Sequence, residues 1–208
     1  MKKLTKEIIV DRLNELITEP KSELDFANNY ELLIAVMLSA QCTDKRVNII
    51  TKQLFDRYPT CYDLASADAQ EVESIIKSCN YFRNKAKNII AACDKIVNDF
   101  GGEVPSSHEA LISLPGVGNK TANVVQAVGF GMQAFAVDTH ILRVSNRLGI
   151  VKTANPDICE KRLKEFYKDC DYGRIHHLML LFGRYYCTAR NPKCDNCVLK
   201  NECQYIGD

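Results

Sequence analysis

The chain has 208 residues, 46% of them hydrophobic, and a formal net charge of +1 at pH 7. This length allows one good hydrophobic core or two modest ones, and the balanced charge excludes a polycation that binds nucleic acid through bulk charge alone. Residues 1–7 lack the apolar segment of a secretory signal, and the longest apolar run, residues 32–38, is too short to span a bilayer. We therefore expect a cytoplasmic protein with reduced cysteines.

The hydrophobic periodicity is helical almost throughout, which predicts an all-α fold with short loops. Asn28 and Glu31 have the spacing of a capping box, and the helix they open has an apolar stripe from Leu33 to Ala40. A later helix is expected to end at Gly101. The predicted helices begin near residues 28, 44, 85, 106, 119, 138, 157 and 173.

Residues 114–118, Leu-Pro-Gly-Val-Gly, join a short helix opened by Ser106 to the helix that begins near residue 119. Gly116 and Gly118 allow positive φ and let another backbone approach closely. Their amide groups and the following helix N-terminus form a concavity rich in donors that suits a phosphate oxygen. This is typical of a helix-hairpin-helix motif, which binds the nucleic-acid backbone without reading its sequence. An ordinary helix–helix turn with glycines for close packing explains the same five residues.

Lys120 and Asp138 are the two candidates for chemistry. Lys120 lies in the first helical turn after the hairpin, where the helix dipole disfavours the ammonium and partial burial would disfavour it further. The neutral amine attacks an aldehyde-like carbon and forms a Schiff base, although a phosphate-binding surface lysine is the alternative. Asp138 follows the apolar residues 134–137, either as a helix N-cap alone or as a carboxylate that moves protons and stabilises positive charge. Arg143 and Arg147, four residues apart, would add a basic stripe beside the site.

Four of the ten cysteines are concentrated in residues 187–203. Thiolates at this density predict a zinc site or an iron–sulfur centre, and the single C-x-x-C pair leaves both open. Residues 184–200 also carry four basic side chains against Asp195 alone, so we expect this loop to lie on phosphates with a salt-dependent affinity. The basic residues are Arg184, Arg190, Lys193 and Lys200. The six scattered cysteines, expected to be small buried hydrophobes, are Cys42, Cys61, Cys79, Cys93, Cys159 and Cys170.

Taken together, these segments resemble the endonuclease III family of bifunctional DNA glycosylases with abasic-site lyase activity. The resemblance is carried by residues 38–44 (Leu-Ser-Ala-Gln-Cys-Thr-Asp), 114–125 (from Leu-Pro-Gly-Val-Gly to Asn-Val-Val), 136–140 (Ala-Val-Asp-Thr-His) and the spacing of the four cysteines. The segments occur in the family's order and span nearly the whole chain.

The resemblance implies two helical domains on either side of a DNA-binding groove. One is a six-helix domain over residues 22–132, with the helix-hairpin-helix at about 106–130, and the other combines residues 1–21 with 133–208. A [4Fe-4S] cluster is implied in the loop 187–203. The sequence gives no argument for an oligomer, so a monomer is expected. The implied cluster ligands are Cys187, Cys194, Cys197 and Cys203.

By the same resemblance, Lys120 attacks C1′ of a damaged nucleotide flipped out of double-stranded DNA. The base leaves, a Schiff base forms, and β-elimination nicks the strand; the implied substrates are oxidised or ring-damaged pyrimidines and abasic sites. Asp138 corresponds to the family's essential carboxylate, Gln41 fills the hole left by the flipped nucleotide, and Tyr81 enters the stack as a wedge. The other expected DNA contacts are Leu114, Gly116, Gly118, Thr121, His140, Arg143, Arg147, Arg184, Arg190 and Lys193.

The chain departs from the family's commonest pattern around the wedge. Asn80 stands where glycine is frequent, and because asparagine tolerates the left-handed conformation we expect the turn to survive. Tyr81 replaces a more usual aliphatic residue, and Asn119 replaces a common arginine before the lysine.

Two other functions fit parts of the sequence. A monofunctional mismatch glycosylase lacks lyase activity, but such relatives usually carry another residue in place of Lys120. A non-catalytic or redox-sensing iron–sulfur protein that binds DNA would make both Lys120 and Asp138 incidental.

Overall fold

A computed structural model of the chain describes residues 4–205, which form eleven α-helices and contain no β-strand. Nine of these helices begin at a Ser, Thr, Asn or Asp whose side chain accepts a hydrogen bond from the first helical turn, and this explains where they start. The helices are α1 (Lys6–Leu16), α2 (Asn29–Ser39), α3 (Asp44–Arg57), α4 (Cys61–Ala65), α5 (Ala69–Ile76), α6 (Phe82–Phe100), α7 (His108–Ile112), α8 (Asn119–Val124, followed by a π-helical turn Val125–Gly129), α9 (Thr139–Arg147), α10 (Pro156–Phe166) and α11 (Tyr172–Tyr185).

The all-α prediction is confirmed, with differences at several helix ends. Periodicity did not predict α1, α4 or α5, and α6 begins three residues before its predicted start. The cap of α7 is Ser107, whose Oγ accepts from the amide of Ala110, and not Ser106. The carbonyl of Ser106 instead accepts from the side-chain amide of Gln126, 2.9 Å away, so it ties the start of α7 to the π-helical turn.

Residues 22–132 form one compact unit, here called the hairpin unit. It contains α2 to α8, seven α-helices where the resemblance implied six; α4 and α7 are single turns of five residues. Its central element is α2, because every residue from Leu32 to Leu38 is buried. The sequence predicted one apolar stripe on α2, but the buried residues lie on all sides of this helix. A helix that is apolar on all sides lies inside the core.

Residues 4–21 and 133–205 form the second compact unit, here called the cluster unit. Its core combines α1, α9, α10 and α11 around buried side chains such as Ile9, Phe135, Leu163 and Phe182. The buried segment 134–137 leads directly into α9, which fixes the position of the residue that follows it. None of the helices within residues 4–205 is long and apolar enough to cross a membrane.

Candidate functional site

The turn between α7 and α8 depends on one of its two glycines for its shape. The amide of Val117 donates to the carbonyl of Leu114 at 3.1 Å, and the Leu114 side chain is buried in the core. Gly116 has φ of 79°, and a Cβ at this position would lie 2.8 Å from Asn88, so both conformation and packing require glycine. Gly118 has φ of −102°, so the expected positive φ is wrong there; a Cβ would meet nothing within 4 Å. The outer face of Gly118 is therefore open to an approaching ligand.

Lys120 lies in the first turn of α8 and its side chain is exposed. Partial burial therefore does not contribute at Lys120. Thr121, the next residue, is half-buried, and the amide of Ala122 donates to the carbonyl of Gly118 at 3.0 Å, which fixes the start of the helix. The fold thus presents the Lys120 amine on the surface immediately beside the open glycine of the hairpin, where a large substrate can reach it.

The hairpin unit brings Gln41 and Tyr81 together on two neighbouring loops. Both side chains are exposed, Tyr81 by 66%, and both residues have left-handed backbones, with φ of 54° and 58°. The left-handed conformation expected for Asn80 falls on Tyr81 instead. The Asn80 side-chain amide donates to the carbonyl of Gln41 at 2.8 Å. Non-glycine residues held in this conformation are uncommon and concentrate at functional sites.

Sequence reasoning missed Lys85, which anchors the loop that carries Gln41. The Lys85 side chain is buried, and its ammonium donates to the carbonyls of Leu38 at 2.8 Å and Ala40 at 2.7 Å. A cation at the C-terminal end of α2 also interacts favourably with the helix dipole. The signal was present, because Lys85 precedes the buried Ile89 by four residues and so lies on the apolar face of α6.

Asp138 is half-buried at the N-cap of α9, and its Oδ1 accepts from the amide of Ile141 at 2.8 Å. This position follows from the buried segment that precedes it and from the preference of aspartate for the N-cap. One turn further on, the Nδ1 atom of His140 lies 3.2 Å from Nη2 of Arg143. Lys120 belongs to the hairpin unit and Asp138 to the cluster unit.

Arg143 and Arg147 bind the backbone at the start of the cysteine-rich loop. Arg143 donates to the carbonyl of Gly183 at 2.7 Å and to that of Cys187 at 3.1 Å. Arg147 donates to the carbonyl of Thr188 at 2.7 Å, and its Nη1 lies 3.4 Å from Sγ of Cys187. These donors are directed at groups of the protein, which is a structural role that the prediction of a basic stripe beside the site did not include. The two arginines hold the loop against α9.

The role of Arg147 is tested by replacing it with lysine. Lysine keeps the charge but cannot reproduce the planar set of donors, so we expect the free energy of unfolding to fall by about 2 kcal/mol and the visible absorbance of a cluster to be lost faster in air. Arg190, an exposed residue of the same loop, provides the matched control as Arg190→Lys, with neither change expected. If Arg147→Lys keeps normal stability and cluster content and loses only affinity for DNA, the side chain contacts phosphate as the sequence first indicated.

The four C-terminal cysteines have the chemistry of a cluster-binding set. All four are half-buried, and three of them pack against the core of the cluster unit. Burial raises the pKa of the Cys197 thiol, and the charges of Cys203, Cys187 and Cys194 raise it further, so the four sulfurs lie within electrostatic reach of one another. Thiols gathered in this way favour a cationic centre that binds their deprotonated forms. Within residues 4–205, no three His, Cys, Asp or Glu side chains are arranged to hold a metal ion. A four-iron cluster binds its thiolates through separate iron atoms, so they need not converge on one point.

Two of the predicted basic contacts of this loop are exposed and a third is partly covered. Arg190 and Lys193 are exposed, and the Lys193 ammonium lies 5.1 Å from the ring centre of Tyr186. Arg184, near the end of α11, is half-buried. Lys200 lies 3.6 Å from the carboxylate of Asp195. Arg190 and Lys193 therefore carry accessible positive charge of the loop, whereas Lys200, although exposed, is paired with Asp195.

Comparison with known proteins places these features in one family. The model of the HhH-GPD superfamily of base excision DNA repair proteins matches residues 34–169, and that of the iron–sulfur binding domain of endonuclease III matches residues 187–203. Endonuclease III of Bacillus subtilis is 44% identical over 199 residues, covering 95% of this chain and 91% of the relative. Endonuclease III of Escherichia coli K12 is 42% identical over 202 residues, covering 95% and 93%. The chain belongs to the endonuclease III family.

Solved structures agree with this assignment. A structure of a trapped covalent intermediate of endonuclease III with DNA shares 43% identity with this chain, with a TM-score of 0.91, and covers 97% of this chain and 96% of the other. A thermostable thymine-DNA glycosylase shares only the fold, with 24% identity and a TM-score of 0.84 over 96% and 93% of the two chains. As a member of the endonuclease III family, the protein is a base-excision repair DNA glycosylase with abasic-site lyase activity, and it carries a [4Fe-4S] cluster.

Proposed function

We propose that this endonuclease III relative removes oxidised or ring-damaged pyrimidines from double-stranded DNA, with Lys120 as the nucleophile. The observation that carries this assignment is the position of Lys120, an exposed amine in the first turn of α8 beside the open Gly118 of the hairpin. A lysine that only bound phosphate in this position would leave the hairpin without an amine to form the Schiff base of the lyase. The monofunctional alternative is disfavoured for the same reason.

In the proposed reaction, the Nζ lone pair of Lys120 forms a bond to C1′ of a flipped nucleotide. The N-glycosidic bond breaks, its electron pair leaves with the base, and the base takes up a proton. Opening of the sugar then gives a Schiff base between Nζ and C1′. Loss of a proton from C2′ and departure of the 3′ oxygen break the strand by β-elimination, and water releases Lys120 unchanged.

Asp138 is proposed to hold and move protons in this sequence and to stabilise the positive charge that develops on the sugar. Its N-cap hydrogen bond to the amide of Ile141 uses Oδ1 and fixes the orientation of the carboxylate. A carboxylate held in this way changes little in orientation while the charge develops, which is the condition for electrostatic stabilisation.

We propose that Gln41 and Tyr81 enter the duplex from the two loops that Asn80 and Lys85 hold together. An exposed tyrosine presents a rigid aromatic face on which a base can stack. Gly116 and Gly118 are proposed to offer backbone amides to phosphate, with Thr121 beside them, whereas buried Leu114 contributes its backbone only. These contacts bind the DNA backbone and do not depend on its base sequence.

In the cluster unit, Arg190 and Lys193 are proposed to bind phosphate through their exposed charges. Arg184 and His140 are half-buried and are proposed as weaker contacts to the DNA backbone. The four cysteines Cys187, Cys194, Cys197 and Cys203 are proposed as the ligands of the cluster, which shapes this loop when bound. The protein is proposed to act as a monomer on DNA of the nucleoid in the cytoplasm.

A panel of duplexes tests this function, each with one oxidised pyrimidine, one abasic site or one mismatched thymine. Base release and strand nicking are measured separately. We expect the release of oxidised pyrimidines and the nicking of the strand to occur together. Abasic sites are expected to be nicked without treatment with alkali. Release from mismatched thymine without nicking would instead indicate the monofunctional glycosylase, and DNA binding without either reaction would indicate the non-catalytic protein.

A further inference from the structure

Two cysteines outside the iron–sulfur loop link the two loops that carry Gln41 and Tyr81. The Sγ atom of Cys79 donates to Sγ of Cys42 at 3.6 Å. Cys42 follows Gln41 directly, and Cys79 precedes Tyr81 by two residues. The thiol pair therefore lies beside the hydrogen bond from Asn80 to the Gln41 carbonyl and bridges the same two segments of backbone.

The two thiols differ in accessibility. Cys42 is half-buried, whereas Cys79 is only 3% exposed. Burial raises the pKa of the Cys79 thiol to about 11, and its hydrogen bond with Cys42 acts in the same direction. Cys42 is thus the more accessible residue of the pair, and Cys79 is the protected partner beside it. An accessible thiol next to a second thiol that can resolve its oxidised form is one feature of redox-sensing cysteines.

The hairpin unit contains a second pair of neighbouring cysteines with which Cys42 and Cys79 can be compared. Cys61 and Cys93 also interact, and the Cys61 thiol lies 3.8 Å from the carbonyl oxygen of Cys93. Both of these cysteines are buried, with exposures of 3% and 0%. Since neither thiol of this second pair reaches solvent, a dissolved oxidant has no accessible sulfur to attack. The two cysteines are close to each other in both pairs, but only Cys42 of these four residues is accessible to solvent.

We propose that hydroperoxides convert Cys42 and Cys79 to an intramolecular disulfide that cross-links the loops of Gln41 and Tyr81 and slows excision. The Cys42 sulfur attacks the terminal peroxide oxygen and the O–O bond breaks to give a sulfenic acid. The departing hydroxide or alkoxide takes up the thiol proton and leaves as water or alcohol. The Cys79 sulfur then attacks the sulfenic sulfur, the S–O bond breaks, and water leaves. The two thiols together lose two electrons, which reduce the peroxide. A thiol reductant reverses the reaction by exchange.

The disulfide changes the geometry of both loops. An S–S bond is ~2.05 Å long, so the two sulfurs must approach by roughly 1.5 Å from their present separation. Gln41 and Tyr81 already have left-handed backbones and lie one and two residues from the cross-link. Where part of this movement is transmitted to the backbone of Gln41 or Tyr81, a misplacement of about 1 Å at residues that position a substrate is expected to lower rates by about 10- to 100-fold. This loss of rate rests on the proposed function, whereas formation of the disulfide does not.

Peptide mapping tests the modification itself. The holoenzyme is treated with hydrogen peroxide, and free thiols are alkylated first in the folded protein and then, with a second reagent of different mass, after unfolding. The protein is digested with trypsin without reduction. Cleavage gives one peptide of residues 22–45 and another of residues 78–83, each with a single cysteine. We expect these two peptides to be linked, and the peptides of Cys61 and Cys93 to be alkylated only after unfolding. Oxidation of other cysteines with no linked pair of these peptides would overturn the proposal.

Excision assays with matched variants test the consequence. Peroxide is expected to slow base release by the wild-type holoenzyme about 10-fold or more, with recovery on addition of a thiol reductant and no loss of visible cluster absorbance. Cys42→Ala and Cys79→Ala are expected to keep their rates after the same treatment. A linked pair with an unchanged rate would overturn the regulatory part of the proposal. An enzyme that is inactive when fully reduced refutes the proposed function and leaves the peptide result valid.

Discussion

Lys120→Ala is expected to abolish the covalent complex that borohydride traps between the enzyme and abasic-site DNA. Borohydride reduces a Schiff base to a stable amine, so trapping reports on the amine that attacked C1′. Removing Nζ leaves no nucleophile at the hairpin, and removal of a nucleophile lowers turnover by about a thousandfold or more. Trapping is measured by the shift of labelled DNA on a denaturing gel, and nicking is measured on the same duplex.

The structure supplies a matched control for this substitution. Lys45 occupies the second position of α3, as Lys120 does in α8, and it is also exposed in the hairpin unit. Alanine is a strong helix former, so neither Lys120→Ala nor Lys45→Ala is expected to lower the free energy of unfolding appreciably. Lys45→Ala is expected to trap DNA as the wild type does. Undiminished trapping by Lys120→Ala would assign the Schiff base to another amine.

The helical fold was predictable because its local signals agree with one another. Side-chain caps precede nine of the eleven α-helices in residues 4–205, and capping residues are recognisable in a sequence. The two exceptions are α6 and α8, which begin after Tyr81 and Gly118 without a side-chain hydrogen bond. Both exceptions lie at residues proposed to engage DNA. The two helices that lack a side-chain cap thus begin where the chain is proposed to bind its substrate. Departures from local preferences of this kind are expected at functional sites.

The interactions that hold the candidate site together were less predictable, because they join residues distant in sequence. Arg143 lies 44 residues from Cys187, and Lys85 lies 47 residues from Leu38. A spacing of four residues between Arg143 and Arg147 places them on one face of a helix but does not identify what that face contacts. The spacing therefore indicates a basic face and gives no sign that the same donors bind the loop. A cation on an apolar helix face, as at Lys85, is the better indicator of an internal anchor.

Asp138→Asn is expected to lower turnover by about 10²- to 10⁴-fold while the protein remains folded and bound to DNA. Asparagine caps a helix as well as aspartate does, so the hydrogen bond to the amide of Ile141 is retained and only the charge is removed. Base release is measured under single-turnover conditions, and affinity is measured separately with uncleaved lesion DNA. Near-normal turnover would remove Asp138 from the mechanism and leave it as an N-cap.

Two further variants distinguish the effect of the Asp138 charge from the effect of its N-cap hydrogen bond. Asp138→Ala removes both functions, so it is expected to lose turnover as Asp138→Asn does and also about 1 kcal/mol of stability. Asp171 caps α11 in the same unit by accepting from the amide of Arg174, and Asp171→Asn removes a carboxylate from an equivalent N-cap. That variant is expected to keep full turnover. If it loses as much as Asp138→Asn, the loss reflects the charge of the cluster unit as a whole; if it does not, the carboxylate of Asp138 acts in the reaction itself.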